Sequence, residues 1–201
     1  MSPLLETIKL EDGKLFNLEY HNRRLNKARR DYFGLKEEIA LEGIITITEE
    51  YKTGLYRCRV IYSPEIERVE FVRHQYREVK SLMLVEGNSV DYRFKYTDRK
   101  QLLKLFGRRG GCDDILIVQN GCITDSSTAN IIFFDGAKWW TPDTPLLPGT
   151  QRERLLEEGE IFECRITPGD LNKYINAGLI NAMQDLKSMP VVLMENIVSS
   201  K

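Results

Sequence analysis

The sequence predicts an α+β protein in two parts: a small N-terminal α+β domain over residues 1–76, a linker at 77–81 and a larger, β-rich C-terminal domain over 82–201. Three observations carry this. Asp12-Gly13 separates two extended, apolar-rich stretches as a hairpin turn does. Leu25, Ala28 and Tyr32 then recur at helical spacing. In the second half, Asn120-Gly121 and Asp135-Gly136 punctuate a long strand-forming run.

Taken in order, "LLETIKL" and "KLFNL" form the first hairpin. The helix "EYHNRRLNKARRDYFG" follows, with Gly34 as its C-terminal stop. A second helical piece is expected in "LKEEIALEGI", and the alternating segments "GLYRCRVIYS" and "ERVEFVRHQY" read as paired strands.

The second half opens with "SLMLVEGNSVDYRFKY", where Asn88 marks a turn between strands. Val90, Tyr92, Phe94 and Tyr96 alternate with Asp91, Arg93, Lys95 and Thr97, so the spacing predicts a strand ending near Lys95. Thr97 is the expected N-cap of a helix running to Phe106 and stopping at Gly107. Residues 113–142 read as a meander of three strands, and "DTPLLPG" leads to a last helix starting at Thr150 or Gln151.

Composition narrows the function classes. A formal charge of -1 provides no overall field for nucleic acid or an anionic membrane. Neither a bilayer-length apolar run nor a secretory signal is present in the sequence, which reads as cytoplasmic. The 4 cysteines are scattered without a C-x-x-C pair, as expected for free thiols; Cys112, after two arginines, reads either as a low-pKa nucleophile or as a small residue entering a strand. With 2 histidines and no H-E-x-x-H, no metal site is expected.

Several residues could carry chemistry. Lys95, between apolar neighbours at a strand end, is either a solvated charge or a desolvated amine fit for Schiff-base chemistry. In H-x-x-R-L, Arg24 shares a helical face with His21, Leu25 and Ala28, and reads as a phosphate clamp or a surface arginine. Backbone N–H groups from Gly149 to Gln151, with the Thr150 hydroxyl beside them, form either an anion site at a helix start or an ordinary capped helix. Asp125 reads as the partner of a cationic ring nitrogen, with Ser126, Ser127, Thr128 and Asn130 as hydrogen-bond donors, or as turn chemistry.

The order of these blocks resembles the class IV aminotransferases of pyridoxal-phosphate fold type IV. These include branched-chain and D-amino-acid aminotransferases and 4-amino-4-deoxychorismate lyase. "LLETIKLEDGKLFNLEYHNRRL" is similar to the family's F-E-T, D-G hairpin and H-x-x-R-L pattern; Lys95 through Arg99 resembles its K-x-x-x-R segment. Asp125 through Asn130 resembles E-x-x-x-x-N, and Gly149-Thr150-Gln151-Arg152 resembles the G-[IV]-T-R phosphate loop. The late "GLINAMQDLKSMPVV" is similar to the lyase's N-A-L-M-P-V region. Asp125 departs from the usual glutamate, shortening its reach by about 1.5 Å. Thr150 and Gln151 depart from the usual branched aliphatic and threonine.

The resemblance implies a two-domain fold type IV enzyme with pyridoxal 5'-phosphate as cofactor, a small amino-group substrate and a homodimeric state. Lys95 would be the catalytic lysine and covalent anchor. Arg24, Arg99, Asp125, Ser127, Asn130, Gly149, Thr150 and Gln151 would bind the cofactor. Elimination of the 4-amino-4-deoxychorismate lyase type, giving 4-aminobenzoate and pyruvate, is the favoured reaction. Transamination and catalytically inactive cofactor binding are the alternatives.

Overall fold

A computed structural model describes residues 2–199. The described residues form two compact units, one of residues 2–76 with 94–98 and one of residues 77–93 with 99–199.

The first unit is an antiparallel sheet covered on one face by a helix. Strands β1 (Leu4–Glu11), β2 (Lys14–Leu15), β3 (Leu55–Tyr62) and β4 (Ile66–Arg73) lie in the order β2-β1-β3-β4. Asp12 and Gly13 both have positive φ, as the tight turn between β1 and β2 requires. Alternation puts Leu4, Ile8 and Leu10 of β1 with Cys58, Val60 and Tyr62 of β3 in a core shared with Leu25 and Ala28 of helix α1 (Leu18–Phe33). Gly34 ends α1 in the left-handed region, its N–H bonded to the Arg30 carbonyl at 3.1 Å.

The helical piece expected over 35–44 is reduced to one 3-10 turn, Leu41–Gly43. Asparagines of α1 satisfy the backbone there: Asn26 bonds both the N–H and the carbonyl of Ile39, and Asn22 Oδ1 accepts from the Leu41 N–H. With those partners supplied, the segment does not need an internal helical ladder.

The expected strand through residues 90–96 is also absent as a regular element. Val90 and Tyr92 pack into a core of the second unit, whereas Phe94 and Tyr96 pack into the first, against Tyr32 of α1. Two cores therefore produce a single apparent alternation. The lysine segment, expected in the C-terminal domain, belongs to the first unit. It lies along the end of β1: Lys95 accepts the Leu5 N–H at 2.9 Å, Tyr96 bridges Leu4, and Thr97 donates through both N–H and Oγ1 to the Pro3 carbonyl. Thr97 is thus committed to Pro3 and does not cap the next helix, α2 (Lys100–Phe106), whose N-cap residue is Arg99.

The second unit is built on a larger sheet. Strands β5 (Leu82–Glu86), β6 (Asp114–Gln119), β7 (Cys122–Ser126), β8 (Asn130–Phe134), β9 (Trp139–Pro142), β10 (Ile161–Cys164), β11 (Asn176–Ile180), β12 (Val191–Leu193) and β13 (Ile197–Ser199) form it, with helix α3 (Thr150–Glu157) between β9 and β10. The principal order is β10-β9-β8-β7-β6-β5-β13, and β11 joins β8 to β12. Asn120-Gly121 turns with both φ positive, as expected. The expected three-strand meander is divided once more, because residues 126–129 turn tightly between β7 and β8. Residues 77–81, expected as a linker, are fastened to this unit: Val79 is buried, Arg77 pairs with Asp114, and the Lys80 and Ser81 N–H groups bond Asp113.

Candidate active site

Each unit carries a cluster of buried polar groups among its described residues. In the first unit it begins with Glu6. The period of β1 points Glu6 inward beside Leu4 and Ile8, so its carboxylate is fully buried. Such a charge requires partners, and α1 supplies them. Arg24 donates from Nε to Oε1 at 2.9 Å and from Nη2 to Oε2 at 2.6 Å, a forked contact. The His21 ring Nδ1 lies 2.6 Å from Oε2. His21 and Arg24 stand three positions apart on one face of α1, which lets one carboxylate hold both.

The electrostatics follow from this arrangement. Burial works to raise the Glu6 pKa, but the Arg24 charge and the His21 hydrogen bond outweigh it and bring the value down to about 2. His21 moves downward because burial disfavours its cation; the charges of Arg24 and Lys95 add to this, against the pull of Glu6. Facing a carboxylate, the ring Nδ1 is the nitrogen that donates. Lys95 itself is half-buried, and its backbone is held to β1 one residue before Glu6. Neither the role of Glu6 nor its link to Arg24 is among the expectations above. The signal was present: Glu6 has the parity of Leu4, Ile8 and Leu10.

In the second unit the cluster is built around Asp125, which is 5% exposed. The turn after β7 makes Asp125 the cross-strand neighbour of Asn130, five residues on. Ser126 closes that turn, its Oγ accepting from the Thr128 and Ala129 N–H groups. Asn130 Nδ2 donates to Asp125 Oδ1 at 2.7 Å and to the Leu147 carbonyl at 2.9 Å, while the Leu147 N–H donates to Asp125 Oδ2 at 3.0 Å. Both Nδ2 hydrogens of Asn130, expected to serve the cofactor, are therefore spent inside the protein. Burial pushes the Asp125 pKa up to about 6 against these hydrogen bonds and the charge of Arg152.

Two residues beyond Leu147, Gly149 is the N-cap residue of α3 and adds no side-chain cap. A Cβ at position 149 would stand 1.9 Å from Asn130 Oδ1, so glycine is required by close approach. Thr150 and Gln151, the first two residues of α3, are both buried. Arg152 points inward, bonding the Thr141 hydroxyl, the Pro142 carbonyl and the Glu163 carboxylate. Ser127 is buried; its carbonyl accepts from Arg99 Nη2 at 2.6 Å and its N–H contacts Asp114. Arg99 thus acts on the backbone two residues beyond Asp125.

A model of the family Amino-transferase class IV matches residues 3–191. The chain belongs to the class IV aminotransferase family. This family consists of pyridoxal-phosphate-dependent enzymes, and the architecture is that of fold type IV. A curated relative from Haemophilus influenzae, named only "uncharacterized protein", is 39% identical over 188 residues, covering 92% of this chain and 100% of that one. The crystal structure of a "putative 4-amino-4-deoxychorismate lyase" from Haemophilus somnus 129pt is 35% identical with a TM-score of 0.87, covering 92% of this chain and 98% of that one. A hypothetical aminotransferase from Mycobacterium tuberculosis, solved in a PLP-bound form, shares the fold at 18% identity and a TM-score of 0.76, covering 95% and 80%.

For a class IV aminotransferase the donor set is chemically apt. In the second unit Asp125 is a carboxylate held through both oxygens, and Gly149 leaves room for the Asn130 amide that holds it; in the first unit Lys95 supplies an amine. One consequence is measurable without cofactor. Because the folded pKa of Asp125 lies above its ordinary 3.8, the native chain binds more protons than the unfolded one between the two values. Stability relative to Asp125→Asn should therefore fall by about 2–3 kcal/mol as pH rises from about 4 to about 6. Urea unfolding of both cofactor-free proteins across that range checks it; a constant difference would contradict the burial of Asp125.

Among the described residues, no helix is long and apolar enough to cross a membrane.

Proposed function

We propose that the protein is a pyridoxal-phosphate-dependent lyase that splits 4-amino-4-deoxychorismate into 4-aminobenzoate and pyruvate. The observation that carries the choice of reaction is the likeness to the Haemophilus somnus protein at 35% identity over 98% of its length, whose name assigns that activity. The "NAMQDLKSMPVV" segment supports it from the sequence. In the structure this segment turns through Asn181–Gln184 and Asp185–Ser188 between β11 and β12.

The roles proposed for its residues are those the family resemblance implies. Lys95 would hold the cofactor through Nζ, and its amine would move the proton at the substrate carbon that bears the amino group. Asp125 holds a proton on the cofactor's ring nitrogen; pairing with that cation favours the ionised carboxylate and offsets the effect of burial. Arg24, fixed in one orientation by Glu6, and the first turn of α3 are the residues that the resemblance implies would hold the phosphate. Pyridoxal phosphate, when bound, supplies an electron-withdrawing ring conjugated to the substrate nitrogen. The working protein is proposed to be a cytoplasmic homodimer.

Purified protein given 4-amino-4-deoxychorismate should release 4-aminobenzoate and pyruvate in equal amounts. Conversion of 2-oxoglutarate to glutamate with an amino donor, without pyruvate release, would assign a transaminase instead. Failure to take up pyridoxal phosphate at all would count against both.

A further inference from the structure

We propose that Asn130 is a positioning residue that couples the Asp125 carboxylate to the loop entering α3, so that a change at either end is felt at the other. The hydrogen bonds form a closed ring. Asp125 Oδ2 accepts from the Leu147 N–H, the Leu147 carbonyl accepts from Asn130 Nδ2, and the same Nδ2 donates to Asp125 Oδ1. The amide orientation is fixed by its surroundings, because the group facing two oxygens must be the donor. Its other end, Oδ1, lies against Gly149, where an added Cβ would come within 1.9 Å. One buried side chain therefore touches the carboxylate on β7 and the last residue before α3. Neither end can shift without breaking a bond in the ring or striking the amide.

Asp125 is a residue shorter by one methylene than glutamate, which makes its placement depend on what holds it. The ring supplies that hold from the loop side. Arg152 on α3 is the charged side chain whose field also reaches Asp125, and its own contacts with Thr141, Pro142 and Glu163 are outside the ring. Coupling between two ends is reciprocal: displacing the loop weakens the hydrogen bonds to Asp125, and changing Asp125 loosens the loop. The first direction stands on the geometry alone; the second rests on the proposed reading of the α3 turn as the phosphate cradle.

The test follows the Asp125 carboxyl carbon by 13C NMR in the full-length chain purified without cofactor. Gly149→Ala alters no atom of Asp125 but pushes Asn130 aside, and should raise the Asp125 titration midpoint by about one pH unit. Asn130→Ser, a small polar replacement too short to span the ring, should move it in the same direction and decides the matter where Gly149→Ala fails to fold. A midpoint at the wild-type value in a folded variant overturns the coupling. For the reverse direction, the affinities for pyridoxal phosphate and for pyridoxal are compared. Their ratio isolates the phosphate contribution and should fall about fivefold in Asp125→Asn; an unchanged ratio overturns reciprocity. The NMR arm decides the loop-to-carboxylate direction even in a chain that binds neither compound, a result that would count against the functional reading instead.

Discussion

Lys95→Ala should lower turnover by about four orders of magnitude or more, because one substitution removes both the anchoring amine and the group that moves the substrate proton. The fold should tolerate the change. Lys95 is half-buried, and its segment is held to β1 through backbone atoms, the Lys95 carbonyl to Leu5 and the Tyr96 bridge to Leu4, which alanine retains. Added amines of small size should restore part of the proton-transfer rate. Stopped assays for 4-aminobenzoate, with circular dichroism to verify folding, check the prediction; wild-type turnover in the variant would remove Lys95 from the mechanism.

Glu6→Gln has the second largest expected effect, and it acts on stability as well as on binding. Removing one member of a buried ion pair leaves the Arg24 charge, only 11% exposed, without its carboxylate. Losses of this kind cost about 3–5 kcal/mol. The melting temperature should fall by about 6 °C or more, since about 1 kcal/mol corresponds to about 2–4 °C in a chain of this length. The same contribution has a pH signature. The folded pKa of Glu6 is depressed to about 2, so its stabilisation is complete above the ordinary 4.5 and is lost as pH falls from there toward 2. Glu6→Gln should thus narrow its deficit as acid is added. Arg24→Lys provides the contrast: the charge stays, the fork is lost, and pyridoxal phosphate binding should suffer more than folding. A Glu6→Gln protein as stable as wild type at neutral pH would contradict the buried triad.

Much of the fold was legible because local chemistry determined it. Asp12-Gly13 and Asn120-Gly121 adopt positive φ as their sequence requires, and α1 runs from Leu18 to the stop at Gly34. Order and spacing single out Lys95, Arg24 and Asp125 as candidates, and their cofactor roles are proposals. What was missed depended on partners distant in sequence. The 35–44 segment looked helical until Asn22 and Asn26 of α1 took over its backbone groups. The alternation around Lys95 looked like one strand because two cores happened to read in phase. Glu6 was visible in parity, but its meaning emerged only with His21 and Arg24 on the facing helix. Asn130 was assigned outward as a donor to a ligand, whereas Asp125 and Leu147 consume both its hydrogens.

The central claim is that Lys95 carries the cofactor. It is tested most directly by incubating the protein with pyridoxal phosphate, reducing with borohydride and mapping the labelled peptide by mass spectrometry. The account predicts a pyridoxyl group on Lys95 Nζ, with Lys100 and Lys104 unlabelled. A label on either of those lysines, or no label on a protein that turns over its substrate, would contradict it.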